Sequence, residues 1–86
     1  MKSGQREREL RAAAERAETT IFFESPYRLT KTLAACAAIL PQRQLCVARE
    51  LTKKFEEFRR GVGVELLAHY AAHLPKGEIT LLIAGS

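Results

Sequence analysis

The chain has 86 residues, 47% of them hydrophobic and 28% charged, with a formal net charge of +4 at pH 7. That is enough chain for one small domain, which buries only about 60% of its unfolded-chain surface, so a partner domain or subunit is expected to add stability. The composition excludes a disordered protein, no apolar run approaches the ~20 residues of a membrane span, and the charged stretch after Met1-Lys2-Ser3-Gly4-Gln5-Arg6 is not that of a secretory signal.

Gln5 to Ala17 predicts a helix. Arg, Glu, Leu and Ala are good helix formers. Leu10, Ala13, Ala14 and Ala17 share one side, and Glu7 and Arg11 form a favourable i,i+4 pair. The apolar face is thin, so this helix is expected to lie across an edge rather than through a core. Thr19 to Phe23, β-branched and aromatic, predicts a strand that ends at Glu24-Ser25-Pro26. Ser25 is a good N-cap and Pro26 suits the first helical position. A helix is expected from there to about Leu40, with Leu29, Leu33, Ala37 and Leu40 as its core stripe and Pro41 as its stop.

Gln44 to Arg49 is nearly continuously apolar, the pattern of a strand covered on both faces. Phe55 to Arg60 predicts a third strand of weaker alternation, which would put Arg59 and Arg60 on opposite faces. Gly61-Val62-Gly63 breaks the chain, and Gly63 is expected to cap the helix that follows. That helix runs from Val64 to about Leu74, with Leu66, Leu67, Tyr70, Ala71 and Leu74 on one face. Pro75-Lys76-Gly77 is a turn, and Ile79 to Ala84 is the last strand. The fold expected is therefore α/β, a mixed sheet of about four strands with helices packed on it. Its two strand–helix–strand units should cross over right-handedly and give parallel neighbours. The short link between the second and third strands is compatible with a hairpin instead.

Several local patterns bear on chemistry. Glu24-Ser25-Pro26-Tyr27-Arg28 lies where a strand hands over to a helix, a place that collects anions and ligands; on local grounds it reads as a plain helix start. Arg49-Glu50-Leu51-Thr52-Lys53-Lys54-Phe55-Glu56-Glu57 follows a buried strand and packs guanidinium, carboxylate, hydroxyl and ammonium groups into one loop. A ligand-contacting loop and a solvated turn are equally compatible with it. Between Arg43 and Arg60 six basic residues stand against three acids, an excess that suits a polyanionic partner. His69 and His73 share a helix face, but the Glu of the zinc-protease pattern is missing. They read as groups stabilising a helix C-terminus, and no metal site is expected. Cys36 and Cys46 read as buried free thiols. Gly61-Val62-Gly63 is too short for a phosphate loop.

Taken in order, Lys2-Ser3-Gly4-Gln5-Arg6, Thr20 to Leu29, Ala48 to Glu57, Arg60-Gly61 and Lys76-Gly77-Glu78-Ile79 resemble the second half of the S-adenosylmethionine-dependent methyltransferases of the tetrapyrrole methylase family. Within that family the resemblance is to the enzymes that methylate a ribose of 16S RNA, and it covers essentially the whole chain. A Thr or Ser is expected shortly after Arg60-Gly61, where Val62 and Gly63 stand. The resemblance implies a two-domain enzyme that binds its donor, S-adenosylmethionine, between the domains and methylates a cytidine 2′-hydroxyl. Residues 1–86 would be the C-terminal half, a single domain closing the cleft, with the glycine-rich donor-binding domain absent and the piece inactive alone. It implies donor contacts at Ser25, Pro26, Arg49, Glu50, Leu51 and Thr52. RNA contacts are expected at Arg28, Lys53, Lys54, Arg59 and Arg60, since phosphate contacts dominate nucleic-acid affinity. The partners implied are the small ribosomal subunit and a second copy of the chain, in the cytoplasm and away from membranes. Catalytic residues are not identified. A corrin or porphyrin methylase and a free-standing RNA-binding or subunit-interaction module are the alternatives.

Overall fold

The computed structural model describes residues 3–49 and 57–86. Its elements are α1 (Ser3–Glu15), β1 (Thr20–Glu24), α2 (Leu29–Ile39), β2 (Leu45–Arg49), β3 (Glu57–Gly61), α3 (Gly63–Ala72) and β4 (Ile79–Ile83). The α-β-α-β-β-α-β order and the four strands are those expected from the sequence, and the fold is α/β with the helices packed on the sheet.

The strand order is β1-β4-β2-β3. All three pairings are antiparallel, so the parallel neighbours expected from the strand–helix–strand units do not occur. Each unit is split. β1 and β2 run in the same direction, but β4 lies between them; β3 and β4 also run in the same direction, with β2 between. The second-to-third connection joins adjacent antiparallel strands, the hairpin alternative.

Register sets what each face carries. Phe22, Leu81 and Val47 form one cross-strand row, and Ile83 and Leu45 belong to the next. These side chains share a buried core with Leu10 and Ala13 of α1, Leu29, Leu33 and Cys36 of α2, and Leu66 and Tyr70 of α3. The other face holds Ile21, Phe23 and Phe58, all exposed. β2 is thus covered by helices on one face only, and Cys46, on the open side, is half-buried rather than buried. The face of α1 is thin, as expected, yet Leu10 and Ala13 reach the central core by packing against α2.

Two helix starts differ from expectation. Ser25 does not cap α2. Its carbonyl accepts the Arg28 N–H at 3.1 Å, residues 26–28 form a turn, and Arg28 occupies the cap position. The buried stripe of α2 consequently runs through Leu29, Thr32, Leu33 and Cys36, with Ala37 only half-buried. At α3 the cap is Val62, not Gly63. Val62 has no side-chain oxygen to offer, so only the reciprocal half of a capping box forms, the Val62 N–H donating to Glu65 Oε1 at 2.9 Å. Gly63 serves packing instead: a Cβ there would stand 2.8 Å from the Ala37 nitrogen on α2. Leu74 and Ala71, expected on the core face of α3, are exposed because the helix ends at Ala72 and the register favours Gly63, Leu66 and Tyr70.

Candidate functional site

One end of the sheet gathers most of the polar residues singled out in the sequence. Glu24, Ile79, Arg49 and Glu57 stand side by side in a single cross-strand row, and it is the last row at that end. Glu24 is buried, and its carboxylate accepts the Thr32 hydroxyl at 2.6 Å and the Ser25 N–H at 3.2 Å. Those bonds tie the end of β1 to α2 and fix the turn that presents Ser25 and Pro26. Beyond them lies an open cavity of about 660 Å³ lined by Phe23, Glu24, Ser25, Pro26, Gly77 and Glu78. Gly77 supplies a left-handed turn with φ of 84°, a conformation that costs Gly little, so the chain enters β4 close to the end of β1.

Arg49 is half-buried. Its Nε donates to Glu57 Oε1 at 2.7 Å and its Nη1 donates to the Lys76 carbonyl at 3.0 Å. Arg59 Nη2 approaches Glu57 Oε2 at 3.6 Å. The hydrogen bond from Arg49, followed by the attraction of both guanidiniums, holds the Glu57 carboxyl below its usual range. These groups face Tyr70, His69 and His73 across a cavity of about 270 Å³. Burial first, and then Glu57, pushes the Tyr70 phenol up. Desolvation, then the positive charges of Arg59 and His73, lower His69. His73 ends α3, its N–H and Nδ1 both lying against the His69 carbonyl, while the two rings stack at 4.6 Å. That is the helix-terminal role read from the sequence. Among the described residues no group of three or more His, Cys, Asp or Glu side chains is placed to hold a metal ion.

Among the described residues the basic side chains do not form one patch. Arg59 and Arg60 point to opposite faces, as alternation predicts; Arg60 lies on the open face with its Cζ 6.0 Å from the Phe58 ring centre. Arg28 is exposed at the start of α2. Arg43, counted in the basic excess, is committed to structure: its guanidinium donates to the carbonyls of Ala13, Ala14 and Ala84 and binds the end of α1 to the end of β4. Glu50, Leu51, Thr52, Lys53 and Lys54 lie outside the described residues. The sequence reading missed Glu24, Thr32 and Glu57 as organising residues. A carboxylate closing an apolar strand, Phe22-Phe23-Glu24, was the available signal for the first.

The fold and site define a class: a split α/β domain whose sheet end carries paired guanidinium, carboxylate and hydroxyl groups around two cavities, suited to holding a polar ligand. No family model matches the chain. Curated relatives do. It is 57% identical over 63 residues, 73% of this chain and 22% of the relative, to a protein of Erythrobacter litoralis named ribosomal RNA small subunit methyltransferase I. Proteins of the same name from Bacillus subtilis and Synechocystis are 45% identical over 95% of this chain and 42% identical over 99% of it. The chain belongs to the ribosomal RNA small subunit methyltransferase I family. It spans between 22% and 31% of the length of these three relatives.

Proposed function

We propose that the chain is the part of an S-adenosylmethionine-dependent methyltransferase that closes the donor cleft and helps hold 16S RNA while a cytidine 2′-hydroxyl is methylated. The observation that carries this reading is the identity to the named relatives, sustained over nearly the whole chain. The sheet end supports it. The cavity beside Ser25 and Pro26, about 660 Å³, falls in the range of small-molecule and cofactor sites. Glu24 and Glu78 line it with groups able to carry the sign that favours a cation, and Phe23 and Pro26 add apolar surface. That lining fits a sulfonium-bearing nucleoside.

When bound, S-adenosylmethionine supplies an electrophilic methyl group. The work left to this chain is positional. Ser25 and Pro26 form a wall held in place by the Glu24–Thr32 bond, and Arg49 anchors the end of β2; Glu50, Leu51 and Thr52, next in sequence, are the other proposed donor contacts. Arg28, Lys53, Lys54, Arg59 and Arg60 are the proposed RNA contacts. Orientation of this kind supplies much of a transfer rate, so the chain by itself is expected to be inactive. The setting is the cytoplasm, where the ribosomal substrate is made; no helix among the described residues is long and apolar enough to cross a membrane.

The test is a segment exchange. This chain, substituted for the matching segment of the Bacillus subtilis relative, should support incorporation of labelled methyl groups into small ribosomal subunits at a cytidine ribose. A chimaera that folds and binds the donor but leaves the RNA unlabelled would overturn the reading. We also propose a homodimer, supported by the exposed Ile21, Phe23 and Phe58 on the open sheet face. Sedimentation at micromolar concentration should show a dimer, and a monomer throughout would count against it.

A further inference from the structure

The smaller cavity at the sheet end has an unusual inventory of donors. Tyr70 is only 2% exposed, and its hydroxyl is buried without a hydrogen-bond partner. Arg59 Nε is likewise buried and unpartnered. The approach of Arg59 Nη2 to Glu57, at 3.6 Å, is too long for a hydrogen bond. Arg49 spends Nε on Glu57 and Nη1 on the Lys76 carbonyl, which leaves Nη2. The His69 carbonyl can only accept, so the contact at 3.0 Å assigns a His73 proton to Nδ1 and commits it to the helix end. Buried donors without acceptors are uncommon and costly. The Tyr70 hydroxyl and the Arg59 Nε, with the Arg49 guanidinium beside them, mark a place where an acceptor belongs.

We propose that the cavity bounded by Arg49, Arg59, Tyr70 and the His69–His73 stack binds one phosphate oxyanion. Size selects the ligand. About 270 Å³ lies below the usual range for nucleotides and drug-sized molecules and suits a single small anion. Charge selects its sign. Glu57 and the negative end of α3 oppose an anion, but two guanidiniums face them, so the net field is positive and binding is weak. Planar guanidinium groups and a phenol give the donor geometry that a phosphate takes. Two sources carry this chemistry, an RNA phosphodiester and free phosphate. The anion site stands on the geometry alone, and only the assignment of its source to RNA rests on the function proposed above.

Calorimetric titration of the chain with sodium phosphate, at constant ionic strength, tests the site. Tyr70→Phe and Arg59→Gln should each weaken binding about tenfold, the worth of one hydrogen bond to a charged group. Arg11→Gln, an exposed change of equal charge on α1, should leave it unchanged. Thermal melts without phosphate check folding: Tyr70→Phe should be at least as stable as the parent, and phosphate should raise the parent's melting temperature more than the variant's. Equal weakening in all three variants, or none in Tyr70→Phe, overturns the site. A parallel titration with a single-stranded RNA oligonucleotide separates the sources. RNA affinity lost in the same two variants places an RNA phosphate in the cavity. RNA binding that ignores both variants, while phosphate binding does not, assigns the site to free phosphate. Phosphate binding without any RNA binding upholds the site and overturns the RNA reading.

Discussion

The Glu24 carboxylate sits at the buried end of β1 with two donors, the Thr32 hydroxyl and the Ser25 N–H. A carboxylate out of water depends on such donors, and losing one leaves part of its desolvation uncompensated. Thr32→Val keeps the side-chain shape and removes the hydroxyl. It should destabilise the chain by about 1–3 kcal/mol, read from urea melts. A change within experimental error would show that Glu24 is not held by this bond. The sequence showed an acid after Phe22-Phe23 but not its partner, because Thr32 lies eight residues away and the contact depends on where α2 begins. The same limit applies at Glu57. It reads as one charge among many until register sets it opposite Arg49. The separation of Arg59 from Arg60, by contrast, needed only the period of a strand.

At the scale of elements, periodicity was enough to order three helices and four strands, with ends displaced by a few residues. Pairing was not legible. The expectation of parallel neighbours takes each strand–helix–strand unit alone, whereas here each unit leaves a gap that a strand of the other fills. Nothing local to β1 or β2 encodes the arrival of β4, which begins 55 residues after the end of β1 and 30 after the end of β2. Gly63 illustrates the same point. Its neighbours suggest a cap, but its lack of a side chain is needed because α2 passes close by. A Cβ would lie 2.8 Å from the Ala37 nitrogen and 3.0 Å from its Cα, both backbone atoms that cannot rotate away. Gly63→Ala should therefore push α3 off α2 and cost about 1–3 kcal/mol despite the better helix propensity of Ala. Valine at position 64, exposed on the same helix, serves as the reference: Val64→Ala should be neutral or slightly stabilising in the same thermal melts. If Gly63→Ala behaves like Val64→Ala, the helices are not in close contact there.

For the whole molecule, the distribution of positive charge bears on how RNA would be held. Arg43 is spent on three carbonyls, Arg49 and Arg59 share Glu57, and Arg60 faces the other side of the sheet. Of the described basic residues in this stretch, Arg43 is thus committed to structure and the others are scattered by the fold. Among the proposed phosphate contacts, Lys53 and Lys54 belong to the segment joining β2 to β3. Each phosphate neutralised by a lysine releases condensed counterions, so each lost contact lowers the slope of log affinity against log salt by about one unit. In the segment-exchanged enzyme, Lys53→Ala with Lys54→Ala should therefore weaken RNA binding and flatten its salt dependence by up to about two units. Donor affinity should change little, because a phosphate contact adds nothing to the hold on a cation. Filter binding at several salt concentrations gives the slope, and calorimetry gives the donor affinity. An unchanged slope would move the RNA surface away from this segment, and a parallel loss of donor affinity would assign the two lysines to shaping the cleft instead.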